Sequence, residues 1–222
     1  KKALELFTKA TEVDPNYARA HAWKCCSLGN NSDWFPDDMP ENWMQDAFGS
    51  VNKALELDPN DPEAHRIMGA VKLLFEGDME SAIFHHEKAI EICPSDTFHI
   101  ARYSILLVYL GEPEKGLAEI HRAMRIDPFC SDLMFEAEGL CNFWLENYDS
   151  SVSSFKKMKI DTRDSLFYLS ASYKMSNEGK ASDTLKEAKN LSKKTIEEFV
   201  KSQPYKKEDS KNKLGEILSS IE

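Results

Sequence analysis

One phrase recurs along this chain, and the recurrence limits what it can fold into. Residues 9–15 read Lys9-Ala10-Thr11-Glu12-Val13-Asp14-Pro15, and residues 53–59 read Lys53-Ala54-Leu55-Glu56-Leu57-Asp58-Pro59. Lys88-Ala89-Ile90-Glu91-Ile92-Cys93-Pro94 and Arg122-Ala123-Met124-Arg125-Ile126-Asp127-Pro128 follow, so the prolines lie 44, 35 and 34 residues apart. The alanine suits a close helix crossing, where a larger side chain would push the axes apart. The proline ends each helix, because it lacks an N–H and its ring blocks continuation. Capping residues such as Asn60-Asp61-Pro62-Glu63 and Ser95-Asp96 then start the next helix. A unit of this size cannot bury its apolar face alone, so successive units must stack.

This period and skeleton resemble the tetratricopeptide repeat. The resemblance implies an all-α fold, a tetratricopeptide-repeat right-handed superhelical solenoid of antiparallel helix pairs. Residues 1–15, with Ala3, Phe7, Ala10 and Pro15, read as the second helix of a truncated repeat. Residues 16–191 read as about five helix pairs. The later copies are degenerate: 131–147 with 148–160, and 163–177 with 179–191. Residues 192–222 read as capping helices, opened by the capping box Thr195-Ile196-Glu197-Glu198 and ending in Leu214, Ile217, Leu218 and Ile221. The first spacing exceeds the others by the length of an insertion between two helices, at about 30–40. Its turn formers, Pro36 and Pro40 argue against a simple helix extension. Trp34, Phe35 and Trp43 accompany it; they either pin the insertion to the solenoid or rim a contact site.

The 222 residues carry a net charge of −10 with a pI near 5.2. Nucleic acids and acidic membranes are held by clustered Lys and Arg, so neither is expected as a partner. The five cysteines, Cys25, Cys26, Cys93, Cys130 and Cys141, form no C-x-x-C pair. They read as reduced core residues, which points to a cytoplasmic setting. No apolar run approaches the roughly 18 residues of a membrane span.

His86-Glu87 lacks the second histidine of H-E-x-x-H, and no phosphate-binding glycine loop occurs. His21 and His65 occupy the same repeat slot and read as packing residues. No cofactor and no metal are expected, and the chain is not expected to be an enzyme.

A narrower resemblance runs through Tyr17-Ala18-Arg19-Ala20-His21-Ala22, through Ala123 to Phe129 and Leu140 to Tyr148, and through Thr195 to Phe199 with Gln203-Pro204-Tyr205-Lys206. These stretches are similar to repeat regions that follow bacterial class III adenylate/guanylate cyclase domains or winged-helix regulators. The resemblance implies a sensory or assembly module beside an output domain. Repeats that clamp acidic chaperone termini use Lys, Asn, Asn, Lys and Arg. Here Ala22, Cys26, Ile67 and Phe98 fill those places and only Arg102 fits.

Repeat arithmetic puts Arg19, Trp23, Arg66, Phe98, Arg102, Phe135 and Asn142 on the first-helix, concave side of the stack, with Trp34, Phe35 and Trp43 as the insertion's contact residues. Arg and aromatic side chains are the types enriched in binding hot spots. The expected function is a protein- or peptide-binding scaffold within a larger signalling protein. The alternatives are a homo-oligomerisation module and a small-molecule sensor coupled to a cyclase.

Overall fold

A computed structural model describes the backbone of all 222 residues and every side chain except those of Asp33, Trp34, Pro36 and Arg163. Every regular element among the described residues is helical. The chain divides into two compact units, Lys1–Pro94 and Ser95–Glu222.

The first unit holds α1 (Lys2–Val13), α2 (Ala18–Trp34), α3 (Trp43–Leu57), α4 (Pro62–Val71) and α5 (Met79–Ile92). Neighbours in sequence pack as antiparallel pairs, and α2 also meets α4. The second unit holds α6 (Thr97–Leu110), α7 (Pro113–Ile126), α8 (Asp132–Trp144), α9 (Tyr148–Phe155), α10 (Arg163–Met175), α11 (Ala181–Ser192), α12 (Ile196–Ser202) and α13 (Glu208–Ser219). Here α6, α8 and α10 are the first helices of three pairs. Each packs on its own second helix, and α8 touches both of the others.

The repeated phrase does the same physical work wherever it occurs. Ala54, Ala89 and Ala123 are fully buried at helix crossings, whereas Ala10 on α1 is only half-buried. Each of the four alanines accepts, at its carbonyl, the N–H of the residue before the proline, at 2.9–3.0 Å. The aspartates of the phrase then set the turn. Asp14, Asp58 and Asp127 accept the N–H two residues on at 3.0, 2.9 and 2.9 Å, a local bond that suits Asp to turns. Glycine serves close packing: a Cβ on Gly139 would lie 2.8 Å from the ring of buried Phe155, so only hydrogen fits there.

The insertion departs from expectation. Its turn formers do not stop α2, which runs on through Asn30, Asn31 and Ser32 to Trp34. The Ser32 hydroxyl bonds the Gly29 carbonyl at 2.8 Å, a contact compatible with helix. The helix ends where Pro36 restricts the residue before it, and a single 3-10 turn, Pro36–Asp38, follows. The degenerate copy at 148–160 also differs, since α9 stops at Phe155 after eight residues. After α4 the helix widens into a π-helical stretch, Lys72–Glu76, closed by Gly77 at φ 67°.

Candidate functional site

The histidine slot proves to be a turn lock. Nε2 of His21 lies 2.9 Å from the Pro15 carbonyl, and Nε2 of His65 lies 2.9 Å from that of Pro59. Each ring therefore fastens a first helix to the turn before it. Nδ1 of His65 also lies 2.9 Å from Nδ1 of His85. One N–H is shared between the two Nδ1 atoms, its direction set by the tautomers. Burial, then the His65 and Lys72 charges, push His85 down to about 4. An unfolded histidine titrates near 6.5, so neutral His85 contributes its stability fully above about pH 6.5. The contribution is lost as pH falls towards 4. The expected loss is about 1–2 kcal/mol, since the ring is half-exposed and partly screened. Urea midpoints at pH 7.5 and pH 4.5 check it; His85→Leu should flatten the difference.

The candidate residues of the first unit do meet, but inside the packing. Arg66 on α4 is only 4% exposed, and its guanidinium forks onto buried Glu63 at 2.7 and 3.0 Å. Burial opposes that charge, but the Glu63 bonds and charge outweigh it and hold the guanidinium pKa above its ordinary value. Arg66 also lies over Trp23, 5.8 Å from the ring, and Trp23 stacks on Phe7 of α1 at 6.0 Å. Arg19 reaches across to Asp61 at 2.5 Å, and the same carboxylate caps α4 through the N–H groups of Glu63 and Ala64. Arg66 is thus an internal ion-pair partner. The expectation of an exposed arginine anchor there is corrected: i, i+3 spacing places Glu63 beneath it on the same helix face.

Around the insertion, Phe35 is 40% exposed under the Lys1 ammonium, and Lys1 also pairs with Asp38 at 2.6 Å. A cavity of about 310 Å³ opens beside it, lined by Leu4, Phe35, Met39 and Pro40 among others. Trp43 packs against the apolar core and meets Phe75 edge-on at 5.8 Å, while Phe48 meets the same ring at 5.9 Å. The Trp34 side chain lies outside the described residues.

In the second unit the first-helix face carries a polar aromatic cluster. Tyr109 on α6, Trp144 on α8 and Tyr168 on α10 surround Tyr205, which lies in the connector between α12 and α13. The indole Nε1–H of Trp144 donates to the Tyr205 hydroxyl at 2.7 Å. The Gln203 side-chain oxygen is an acceptor only, so it takes the one Tyr168 proton and fixes the direction of the chain. Tyr205 donates to the Tyr168 hydroxyl at 2.6 Å, and Tyr168 donates to the Gln203 carbonyl oxygen at 3.0 Å. The Gln203 amide nitrogen in turn lies 3.4 Å from Asp164. Burial raises the pKa of all three tyrosines, so they remain neutral donors. Towards the start of the same face, Arg102 lies over Phe98 at 5.4 Å. Glu136 accepts from the Thr162 hydroxyl at 2.7 Å, and burial pushes its carboxyl pKa up, against that bond and Arg102.

Phe135 and Asn142 do not join this cluster. Phe135 lies under Lys157, and buried Asn142 donates to the Glu138 carbonyl of its own helix at 3.0 Å. Glu136 and Trp144 face the cluster instead. A shift of one or two positions turns a helical side chain by 100° or more, and the degenerate third pair gave no phrase to fix the register. Tyr109 stood seven residues after Arg102, two turns along one face, and was within reach of the repeat arithmetic. Tyr205 carried no repeat signal at all.

The buried thiols are chemically quiet. Burial pushes Cys25 and Cys141 up to about 12, so they stay protonated at neutral pH. Among the described residues, no three His, Cys, Asp or Glu side chains cluster as metal ligands, and no helix is long and apolar enough to cross a membrane.

Antiparallel helix pairs joined by Asp-Pro turns, with alanine at their crossings, make this the tetratricopeptide-repeat fold. No model of a known protein family matches the chain. Tetratricopeptide repeat protein 37 of Xenopus laevis is 30% identical over 192 residues, 85% of this chain, and the chain spans only 11% of that protein's length. Among solved structures, the APC/C hetero-tetramer Cut9–Hcn1 matches 98% of this chain and 49% of its own at a TM-score of 0.64 and 16% identity. The type IV pilus biogenesis factor PilW matches 85% and 84% at 0.59 and 14% identity. YrrB, described as a TPR protein with an unusual peptide-binding site, matches 87% and 96% at 0.50 and 22% identity.

Proposed function

We propose that this chain is a non-catalytic scaffold that binds extended polypeptide, working as one portion of a larger protein. One observation carries the reading. The first-helix face of α6, α8 and α10 holds a non-helical stretch of chain, Gln203–Lys206, through side-chain hydrogen bonds, ring contacts and a main-chain bond. A surface that grips a non-helical stretch of its own chain in this way has the chemistry to grip another's. The Xenopus relative's length and the peptide-binding site of YrrB agree with such a role. Selection of random peptides on the purified chain tests it. Recovery of a shared motif with micromolar or tighter affinity is the expected result; recovery of none contradicts the reading. The finer assignment, regulation of a cyclase or winged-helix output domain, rests on the sequence resemblance, and fusion to such a domain would then change that domain's output.

A further inference from the structure

The connector between α12 and α13 is bound like a ligand. Gln203 adopts extended backbone, φ −76° and ψ 129°, and Gln203 and Tyr205 are 2% and 6% exposed. Three first helices supply the pocket: Tyr109 of α6, Trp144 of α8, and Tyr168 with Asp164 of α10. The Tyr205 ring meets those of Tyr109 and Trp144 edge-on, with centroids 5.0 and 4.9 Å apart. The main chain contributes as well. The Lys206 N–H donates to the Tyr109 carbonyl at 2.9 Å, one of the last four carbonyls of α6, which lack a partner within their own helix. Such a carbonyl accepts an N–H from any extended chain laid across it, whatever the sequence. Selectivity lies in the proton chain from Trp144 through Tyr205 and Tyr168 to Gln203. It requires a hydroxyl at one place and a carboxamide two residues earlier.

The flanking helices hold themselves. Phe199 of α12 is fully buried and stacks on Phe167 at 4.0 Å, and Leu214 and Leu218 of α13 are fully buried too. The stretch between them therefore need not carry the fold at this end.

We propose that Gln203–Lys206 is an intrinsic occupant of a peptide-binding face on α6, α8 and α10. The partner this face fits is an extended segment bearing a carboxamide and, two residues on, an aromatic hydroxyl. It binds by displacing the connector. The proposal rests on the scaffold reading above and adds to it the ligand class and the self-occupied state.

A labelled peptide, acetyl-Ser-Gln-Pro-Tyr-Lys-Lys-amide, tests this on the full chain by fluorescence anisotropy. Tyr205→Ala is expected to bind it at least 10-fold more tightly than the wild type, and a peptide with Ala in place of its tyrosine to bind neither chain. Equal affinity for both chains overturns the proposal, as does absence of binding to a Tyr205→Ala chain that keeps wild-type helicity. Where Tyr205→Ala unfolds, Tyr205→Phe keeps the ring and loses the hydroxyl bonds. Its Lys206 amide should then exchange at least 10-fold faster than in the wild type, with the Phe199 amide unchanged. Joint acceleration of both amides, or of neither, shows a structural cap and overturns the proposal. Failure here leaves the peptide selection above unaffected, so the two readings fail separately.

Discussion

Replacing Arg66 with alanine is expected to lower the unfolding free energy of the first unit by about 3–5 kcal/mol, the usual cost of stranding one member of a buried ion pair. The argument rests on burial. The Arg66 and Glu63 side chains are 5% and 7% exposed and form a two-bond fork within one turn of α4. Removing the guanidinium leaves the Glu63 carboxylate in a site where water cannot replace it. It also removes the cation stacked over Trp23 and leaves a void between α2 and α4. Glu63→Gln with Arg66→Met should recover most of the loss, since replacing both charges removes the desolvation cost. Chemical denaturation of the single and double variants checks this. A single variant within about 1 kcal/mol of wild type would contradict a buried ion pair at Arg66.

Phe199→Ala is expected to cost about 3–5 kcal/mol, the range for truncating a fully buried aromatic ring. Phe199 is the main apolar anchor of a seven-residue helix, stacked on Phe167 and edge-on to Tyr168 at 5.7 Å. An isolated helix of that length does not hold together in water. Loss of the ring should therefore melt α12 and free the connector as well. Amide exchange should show residues 196–206 losing protection while α6 and α7 keep theirs. Uniform loss across the second unit would mean that its end is not a separable element.

The fold was legible because the phrase ending in proline is local chemistry. Alanine at the crossing, aspartate at the turn and proline beyond it each act within a few residues, and the structure repeats their bonds at Asp14, Asp58 and Asp127. The capping box at Thr195 was legible for the same reason, and both of its bonds form, at 2.8 and 3.2 Å. The site was less legible. Repeat arithmetic puts Arg66 on the concave side, which is a direction around the helix and not a depth. Glu63, three residues before it, was the available clue. The pair after Pro128 carries no second phrase to fix its register, and Glu136 and Trp144, not Phe135 and Asn142, face the Tyr205 cluster. Tyr205 falls in a stretch that carries the narrower resemblance, but no repeat position marks its role. Its place depends on contacts 37, 61 and 96 residues away, at Tyr168, Trp144 and Tyr109, and no periodic signal spans such distances.

The same separation explains the insertion. Asn30, Asn31 and Ser32 are weak helix formers by themselves, but tertiary packing along α2 overrides propensity until Pro36 imposes a hard stop. Trp43 is then held by Phe75, which the π-helical turn at Lys72–Glu76 brings round. Local composition at 30–40 could not report a contact made by residue 75.

The most direct test of the scaffold account is the footprint of a peptide selected on the purified chain. Backbone amide shifts recorded during its titration should move along the first helices of the second unit, at Arg102, Tyr109, Trp144 and Tyr168, together with the Gln203–Lys206 connector. A saturating titration whose shifts fall instead on the outer second helices α7, α9 and α11, leaving those residues still, would contradict the account.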